Sequence, residues 1–472
     1  MVQNASSSVR SDNVEKPITV YHVNPVSGDD ARDGLTPNTA WKTWSPFPGK
    51  AQPGSSLLLK RGCVFSLPLP LVGGSPTAPV VYGAYGNGPK PILEGSLRNL
   101  SRPEAWSEER TGLWRATDQM PDLANVIFND TVCGNMRYKR EDLLNQGEWF
   151  QQDSNGPLFV RSTGNPANTW LKVEAIPAGY GISIDGTAHN HLRLEDLAIR
   201  KIGTHGIHIV QGATDVIINR CDLTLIGGAV FRGDEFSKSY GPQFIERRVR
   251  FGNAIEAWGN VSDVTIQGCR ISEIFDGGFC IQGFDGTVAQ NVRLQDNVFW
   301  NCGYDSMDIA HGVSTRQVVF ERNTCANAGL GWAIQGEPWP RYSVNLPDCV
   351  GFHCNLESSF AWDSRSEVTV RNNIFFSAPK SRCFTCGVKV PGPLIVVDNN
   401  CYYQPDAADA IAQVGAKAFT SATIEEYRKQ TGWDQNSIIA DPLFLDPDKA
   451  DFRLKPGSPC AGMGSQASLS PE

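Results

Sequence analysis

Residues 278–312, GFCIQGFDGTVAQNVRLQDNVFWNCGYDSMDIAHG, contain the same short pattern twice. Each copy, GFCIQG and then MDIAHG, is an apolar segment that ends in a single polar residue followed by glycine. The pattern recurs along residues 181–336 as GISIDG, GIHIVQG, AVFRG, AIEAWG and WAIQG, with terminal glycines 21 to 29 residues apart. A period of this length is typical of repeats that stack on one another.

A second apolar segment follows most of these glycines, for example DVIINRCDL, DVTIQGCRI and QVVFERNTC. These segments are rich in β-branched residues and lack a helical period, so both segments of each repeat are predicted strands. Asparagine recurs at the corners, in RNN, DNN, QDN and ERN, where it tolerates left-handed backbone and can stack on its equivalent. The sequence therefore predicts an all-β fold, a right-handed parallel β-helix, because the leucine consensus of leucine-rich repeats and the longer period of propellers are absent.

The repeats also predict which side chains share a face, because stacked coils align equivalent residues roughly 4.8 Å apart. The residue before each glycine is predicted to be exposed, and the preceding residue, apolar in all seven repeats, is predicted to face the core. The residue two positions before the exposed one should face outwards as well, because strand side chains alternate between faces. At that position Glu256 is the acidic member of a row that is otherwise apolar or small. The predicted exposed row consists of Asp185, Gln211, Arg232, Trp258, Gln282, His311 and Gln335.

A second carboxylate is predicted to lie on the same face as Glu256. In the simple register Asp308 would point into the core, where an isolated carboxylate is costly. A one-residue bulge near Ala310 places Asp308 in the row of Glu256 instead, two coils and roughly 9–10 Å away. Three further titratable residues then flank the cleft: Asp276, Asp305 and His311. For the two aspartates, a simple role in a tight turn is the alternative.

Carboxylates across a groove can break glycosidic bonds, with one group as the acid and another as base or nucleophile. The candidate catalytic residues are therefore Glu256, Asp308, Asp276, Asp305 and His311. Candidate substrate contacts, chosen as aromatic or polar neighbours, are Arg232, Trp258, Gln282, Tyr304, Gln335, Glu337, Trp339 and Arg341. The loop GEPWPRYSV could equally pack onto the coils, and the arginines of the insert at 233–253, including Arg250, could equally form a solvated charge run.

Composition excludes several partner classes. The 472 residues carry a net charge of −8, whereas nucleic acids and anionic membranes would favour a basic surface. No run approaches the ~20 apolar residues of a membrane span, and the polar first 17 residues lack the apolar centre of a secretion signal. The protein is predicted to be soluble, and either cytosolic or exported with its signal absent from this sequence.

Thirteen cysteines leave the redox compartment open. A four-thiolate zinc site could be formed by Cys349, Cys354, Cys383 and Cys386, although the unequal spacing favours buried thiols or a local disulfide. Free buried thiols are predicted at Cys221, Cys269 and Cys325. We expect no metal centre and no required cofactor. Structural or catalytic Ca²⁺ is the alternative, with the acidic turn SGDDARDG at 27–34 as one candidate site.

Segments at both ends of the chain resemble those of a known group. YHVNPVSGDDARDGLTPNTAWKTW and PVVYGAYGNGPKPILEGS near the start, and DPLFLDPDKADFRLKPGSPCAGMG near the end, are similar to segments of the pectate-lyase-like superfamily. That resemblance implies a secreted or periplasmic, carbohydrate-active β-helix that acts on a poly- or oligosaccharide. We expect one β-helix domain over 18–460, with an N-terminal segment (18–100) and inserted loops (233–253 and 336–366). Residues 1–17 are expected to be disordered or foreign to the native chain, and 461–472 to be a flexible tail.

Three functions are compatible with this fold, because one fold hosts many chemistries. A glycoside hydrolase would use the groove carboxylates as acid, base or nucleophile. A polysaccharide lyase or uronate epimerase would use His311, Tyr304 or an arginine as the base, with Ca²⁺ or arginine on the substrate carboxylate. A non-catalytic glycan-binding β-helix is the third interpretation. The predicted groove rows contain one basic residue, Arg232, which favours hydrolysis over elimination.

Overall fold

The computed structural model describes residues 19–95, 98–152, 154–231, 249–332, 351–356, 366–379, 381–387 and 394–465. Its main body is a parallel β-helix in which successive strands visit three long sheets in turn. The predicted fold class is confirmed. Within the described residues, no helix is long and apolar enough to cross a membrane.

From Ile182 onward the coils visit sheet 2, then sheet 1, then sheet 3, whereas the strands of the earlier coils belong to sheets 1 and 3. The last strand of sheet 2, Lys417–Phe419, pairs antiparallel with Ala410–Val414. Sheet 1 contains Val20–Val23, Ser56–Lys60, Val80–Tyr85, Leu192–Glu195, Thr214–Asn219, Val261–Gln267, Val288–Gln295, Ser314–Glu321, Val368–Arg371 and Ile395–Asp398. Sheet 2 contains Ile182–Asp185, Ile207–Val210, Ile255–Trp258, Phe279–Gln282, Asp305–Ala310, Phe352–Leu356, Arg382–Cys386, Ala410–Val414 and Lys417–Phe419. Sheet 3 contains Val64–Ser66, Ile92–Glu94, Ala198–Ile202, Asp222–Ile226, Arg270–Ile274, Val298–Cys302, Thr324–Ala326, Ile374–Phe376, Cys401–Tyr403 and Ile438–Ile439.

The core is a stack of aliphatic side chains from the inner faces of the three sheets. On sheet 2, one inward row is fully buried from coil to coil: Ile184, Ile209, Ala257, Ile281, Ile309 and Leu356. Burying an isoleucine or leucine side chain stabilises the fold by about 1.5–3 kcal/mol. Because each coil covers the open edge of its neighbour, the repeat is stable only as a stack.

One predicted repeat, AVFRG, is not a coil of the β-helix. Ala229–Phe231 pairs antiparallel with Val249–Phe251, and Ile207–Val210 pairs directly with Ile255–Trp258. The two ends of the inserted segment meet at three glycines, Gly227, Gly228 and Gly252. Their φ angles of 102°, 97° and 139° lie in a region that favours glycine. Arg232 lies outside the described residues, so its predicted place in the exposed row is not observed.

The predicted exposed row is also wrong by one residue in two coils. Gln211 and His311 follow the ends of their strands in the left-handed region, with φ of 57° and 61°, and Val210 and Ala310 occupy the row position instead. These two coils contain one extra residue before the glycine. Counting back from glycine therefore assigned the residues of Ile207–Val210 to the wrong faces, whereas the bulge predicted near Ala310 allowed for the extra residue and placed Asp308 correctly.

The asparagine corners form a continuous ladder, as predicted. Four buried asparagines precede paired strands of sheet 3, and each amide donates to the next: Asn297 to Asn323 (3.0 Å), Asn323 to Asn373 (3.1 Å) and Asn373 to Asn400 (3.0 Å). The earlier coils place Cys221 and Cys269 at the same point, both free and buried, whereas the free, buried Cys325 belongs to another row. The ladder satisfies buried polar groups at each corner.

An antiparallel unit that the sequence analysis did not predict is inserted between the coils. One of its sheets contains Arg98–Asn99, Leu123–Phe128, Val132–Cys133 and Val173–Pro177, and the other contains Trp106–Arg110, Leu113–Ala116, Trp149–Gln151 and Leu158–Arg161. The fully buried Lys201 of sheet 3 binds Asp130 and Glu174 (2.6 Å) of this unit. The insertion is thus joined to the β-helix by a buried ion cluster.

The remaining elements are short. Helices comprise Pro166–Thr169 and Ile424–Thr431, and 3-10 turns comprise Pro37–Thr39, Pro103–Ala105, Arg140–Asp142, Ser421–Thr423 and Pro447–Lys449. Phe444–Asp446 pairs antiparallel with Asp451–Leu454. Near the C-terminal end of the coils, the buried Asp434 accepts hydrogen bonds from Tyr402 (3.1 Å) and Tyr427 (2.8 Å). Tyr427 belongs to the helix, so these bonds anchor it to the last coils.

Candidate active site

A row of polar side chains runs along the outer face of sheet 2. Its members are paired in register across eight consecutive strands: Ser183, His208, Glu256, Cys280, Asp308, Asn355, Thr385 and Gln413. Asp308 therefore lies in the row of Glu256, two coils away, as the bulged register predicted. The extra residue that permits this register is His311 at the end of the Asp308 strand.

A second row lies three residues earlier in each of the first six coils. It consists of Tyr180, His205, Asn253, Gly277, Asp305 and Phe352. Backbone hydrogen bonds connect its members in sequence, including Gly206 N–H to Asn253 O, Ala254 N–H to Gly277 O and Gly278 N–H to Asp305 O. We call the two rows together the carboxylate groove.

Glu256 is the most strongly organised carboxylate of the groove. It is 4% exposed, and its Oε2 atom contacts Nε2 of His205 at 2.8 Å and Nε2 of His208 at 3.2 Å. Burial acts to raise the pKa of this carboxyl, but electrostatic interaction and hydrogen bonding with the two imidazoles outweigh it and lower the pKa to about 2. Glu256 is therefore ionised at any ordinary pH.

An aromatic stack covers one end of the groove. The ring of Tyr180 lies parallel to that of His208, with centroids 4.6 Å apart, and His205 stacks on His208 at 5.4 Å. Tyr180 is 53% exposed, and both burial and the charge of Glu256 raise the pKa of its hydroxyl. The stack holds both imidazoles against Glu256 and presents an aromatic face to solvent.

Asp308 and Asp305 form a second acidic centre. Asp308 is 4% exposed and accepts hydrogen bonds from Gln282 Nε2 (3.2 Å) and Asn355 Nδ2 (2.9 Å). Asp305 is fully buried, and its Oδ1 lies 3.9 Å from the Sγ atom of Cys280. Oxygen atoms of the two aspartates lie within 4.8 Å of each other. Burial and then the charges of nearby carboxylates, first Asp305, raise the pKa of the Cys280 thiol well above its usual range.

The absence of a side chain at Gly277 makes room for this centre. A Cβ atom there would lie 2.5 Å from Oδ1 of Asp305 and closer still to Sγ of Cys280. Real Cβ atoms do not approach other atoms so closely, so the neighbouring groups would have to move. Asp276, the preceding residue, is 7% exposed, and its backbone accepts a hydrogen bond from Tyr304 N–H (3.2 Å). Its charge contributes to the raised pKa of Cys280, which places Asp276 beside the groove.

The donor atoms of Cys280, Asp305 and Asp308 are close enough to bridge one ion. Calcium takes six to eight oxygen ligands, and a thiol is not among those it prefers, so this set does not match a calcium site. For the predicted zinc alternative, the described cysteines Cys354, Cys383 and Cys386 are not among the residues whose donor atoms lie close enough together to hold one ion. Cys349 lies outside the described residues.

Aromatic residues border the groove on the other side. The half-buried Trp258 packs edge-on against Phe284, with ring centroids 5.2 Å apart, and Phe284 is 66% exposed. His311 lies at the exposed corner, 6.3 Å from the ring of Trp258, rather than in the row of Asp308. The expected position of His311 in the exposed strand row is therefore wrong, because it is the extra residue in that coil.

Two further residues considered in the sequence, Tyr304 and Arg250, have different surroundings. Tyr304 packs edge-on against Phe352 at 5.2 Å. Arg250 is buried, donates to backbone oxygens of Gly228 (3.0 Å) and Ala124 (2.8 Å), and lies over the ring of Phe275. Burial lowers the pKa of Arg250 to about 10. Arg250 therefore stabilises the packing of the interior, and it is neither a substrate contact nor a solvated charge. The remaining candidates lie outside the described residues: Arg232, Gln335, Glu337, Trp339 and Arg341.

Several polar and aromatic residues of the groove were not predicted from the sequence, among them Tyr180, His205, His208, Asn253 and Asn355. The signal for His208 was present in GIHIVQG, because a polar residue that alternates with isoleucines marks the outer face of a strand. Counting back from Gly212 placed His208 on the inner face of this strand, because the extra residue Gln211 was not recognised. His205 and Asn253 lie in turns, where strand alternation gives no information.

Comparison with known proteins agrees with the architecture. Residues 180–392 match the family described as "Right handed beta helix region". A solved structure described as "Glycoside hydrolase" has a TM-score of 0.50 at 10% identity, covering 89% of this chain and 96% of that chain. At this identity the similarity concerns the fold alone.

Two curated proteins match over part of the chain. A lacto-N-biosidase of Bifidobacterium longum subsp. longum is 24% identical over 211 residues, which cover 41% of this chain and 13% of that protein. Protein YwoF of Bacillus subtilis (strain 168) is 28% identical over 174 residues, covering 37% of this chain and 33% of that protein. The chain thus spans only a minor part of the length of either relative. The family match and the three parallel sheets together show that the chain folds as a right-handed parallel β-helix.

Proposed function

We propose that the protein is a glycoside hydrolase that cleaves a poly- or oligosaccharide in the carboxylate groove. The observation that carries this proposal is the register of sheet 2, which brings Glu256 and Asp308 onto one outer face two coils apart. This spacing corresponds to roughly 9–10 Å between backbones. Inverting hydrolases keep their two carboxyl groups about 6.5–9.5 Å apart, which leaves room for a water molecule.

The two acidic centres differ in a way that suits them to different roles. Glu256 is ionised, so it is the base that takes a proton from the attacking water, whose oxygen bonds to the anomeric carbon. We assign the role of the acid, which carries a proton, to Asp308, which lies beside the carboxyl group of Asp305. Asp308 gives that proton to the glycosidic oxygen as the bond from the anomeric carbon to that oxygen breaks. Gln282 and Asn355 orient Asp308.

Elimination is the less favourable alternative for this groove. A lyase or epimerase needs a cation near the substrate carboxylate, supplied by Ca²⁺ or arginine. Within the described part of the two rows there is no lysine or arginine, and four carboxylates surround Cys280: Glu256, Asp276, Asp305 and Asp308. Such a groove repels a uronate. The partial similarity to a lacto-N-biosidase agrees with hydrolysis.

The surroundings of the groove suit a neutral sugar. Exposed aromatic faces at Tyr180 and Phe284, with Trp258 beside the latter, provide surfaces on which sugar rings stack. We propose that the protein acts on a glycan outside the cytoplasm, in a secreted or periplasmic location. No cofactor is part of the proposed reaction.

The decisive assay incubates the protein with neutral and acidic polysaccharides and follows two signals in parallel. Release of reducing sugar without ultraviolet absorbance of an unsaturated product supports hydrolysis, and proton NMR of the fresh product should show the inverted anomer. An unsaturated product from a uronate polymer would establish the lyase alternative. Activity should be unchanged after treatment with EDTA, and loss that is restored by Ca²⁺ would contradict catalysis without a metal. Glycan binding without turnover would indicate the non-catalytic alternative.

A further inference from the structure

His205 connects the backbone of one coil to the carboxylate of Glu256. Its Nδ1 atom accepts a hydrogen bond from the backbone N–H of Asn253, at 2.9 Å. A backbone N–H can only donate, so Nδ1 carries no proton. The single proton of the neutral ring therefore lies on Nε2, which donates to Oε2 of Glu256 at 2.8 Å.

Several features hold this contact in one geometry. His205 is 4% exposed, its ring stacks on His208, and the ring of Phe251 packs edge-on against it at 5.6 Å. Asn253 is itself fixed, because its Oδ1 atom accepts a hydrogen bond from Gly277 N–H at 2.9 Å. Both imidazoles contact the same oxygen, Oε2, so they leave the second carboxylate oxygen of Glu256 to the reaction.

We propose that His205 is a positioning residue that fixes the orientation of Glu256 and keeps it ionised as the base of the reaction. This inference rests on the proposed function. Other titratable groups face Glu256 from the packed coils: His208 and Tyr180 on one side, and Cys280 with Asp276, Asp305 and Asp308 beyond it on the other. The three aspartates repel its charge, and the imidazoles compensate.

The first test needs no substrate. The protein is labelled with ¹⁵N-histidine, and the NMR signals of His205 are assigned as those missing from His205→Gln. The ¹⁵N chemical shifts then distinguish protonated from unprotonated ring nitrogens. We expect His205 to show an unprotonated Nδ1 and a protonated Nε2. A proton on Nδ1 would overturn the inference whatever the activity of the protein.

The second test compares the pH dependence of activity in three variants. In His205→Ala only His208 still offsets the burial of Glu256, so the acidic limb of kcat/KM should move to higher pH by roughly one unit or more. The value of kcat should fall by about 100-fold or less, the scale of a misplaced reacting group, with a smaller change in KM. His205→Gln, which retains an N–H donor, should recover part of both effects.

His191→Gln is the matched control, because that imidazole also contacts a carboxylate, Asp215 (2.9 Å), but lies beside sheet 1. It should leave the profile unchanged. A loss of activity in both His205 variants with an unmoved acidic limb would overturn the inference. If the protein hydrolyses no glycan, the proposed function is wrong. The expected ¹⁵N shifts would in that case still support the contact between His205 and Glu256.

Discussion

At the scale of single residues, the groove concentrates charge that the fold would otherwise exclude. Four carboxylates lie within or beside two rows of one sheet, and Glu256, Asp276, Asp305 and Asp308 are each less than 10% exposed. Buried carboxylates normally destabilise a fold. Among the described residues, Glu256 contacts the imidazoles of His205 and His208, and Asp308 accepts hydrogen bonds from the side-chain amides of Gln282 and Asn355.

Replacing a groove carboxylate by its amide should separate activity from stability. Glu256→Gln and Asp308→Asn should each lower turnover by at least ~100-fold, the scale for loss of a general base or acid, while the protein stays folded under the conditions of the assay. Asp276→Asn should be the next most harmful change. Asp185→Asn is the control, because Asp185 lies on the same sheet but only caps a turn at Thr187. Near-normal turnover in both amide variants would refute the carboxylate mechanism.

The stability contributed by Glu256 should depend on pH in a defined direction. Its pKa falls from 4.5 in the unfolded chain to about 2 in the folded protein, so protons bind the unfolded state more readily. The contribution is therefore complete above pH 4.5 and declines as the pH falls towards 2. Denaturant unfolding of the parent and Glu256→Gln at pH 6 and pH 3.5 should show a smaller difference at the lower pH. A difference that grows with acidity would be inconsistent with an ionised Glu256.

Gly277 should tolerate no side chain. Gly277→Ala forces the new methyl group against Asp305 and Cys280, and overpacking of this kind costs about 1–3 kcal/mol. Activity should fall because the shift moves the Asp305–Asp308 pair. Gly49→Ala is the matched control, since its nearest contact would be an ordinary 3.8 Å. Equal activity and equal unfolding free energy in the two variants would show that the groove can relax around Gly277.

At the scale of elements, the corners decide how coils stack. The ladder asparagines connect neighbouring coils: Asn323, for example, donates to Oδ1 of Asn373 in the next coil and to the backbone oxygen of Leu294 (3.0 Å) in the preceding coil. The residue before it, Arg322, has a φ of 51°, so the corner combines a left-handed turn with a buried amide. Register between coils is therefore specified by side chains as well as by backbone hydrogen bonds.

Removing one member of the ladder should destabilise the whole stack. Asn323→Ala removes the acceptor of the backbone N–H and the side-chain amide of Asn297, and it removes one donor to Oδ1 of Asn373. Each buried polar group left unsatisfied costs about 1–3 kcal/mol. Chemical denaturation should show this loss without a change in the specific activity of the folded protein. Asn38→Ala, at an exposed turn, should have almost no effect. A similarly small effect of Asn323→Ala would mean that water replaces the amide.

At the scale of the whole molecule, an antiparallel unit is attached to the β-helix through buried charges. Lys201 is fully buried and is shared between Asp130 and Glu174, which Lys172 also contacts at 2.9 Å each. A buried ion pair stabilises little relative to apolar packing, but removing one partner leaves the other charges buried. The interface is therefore sensitive to loss of the lysine.

Lys201→Met should uncouple the two parts of the protein. We expect a loss of about 3–5 kcal/mol in unfolding free energy, the scale for breaking a buried ion pair. Methionine meets the same left-handed backbone strain as lysine at this position, where φ is 55°, so the change isolates the charge. Lys42→Met, at an exposed position, is the control. Limited proteolysis should cut Lys201→Met more readily between residues 98 and 177 than the control, and identical cleavage would contradict the role of the cluster.

The sequence alone determined the stack of coils, because a parallel β-helix repeats one local pattern of apolar alternation, glycine and asparagine in every turn. It also determined that Asp308 could not stay in the core, and so that it joins Glu256. Only the tertiary structure decided which side chains of each strand face outwards. One extra residue in left-handed backbone, such as Gln211 or His311, exchanges the inner and outer faces of a strand and leaves the repeat pattern in the sequence unchanged. For the same reason, only the stacked coils show which residues surround Glu256. They are His205 and Asn253, which lie in turns, and His208, whose strand contains the extra residue.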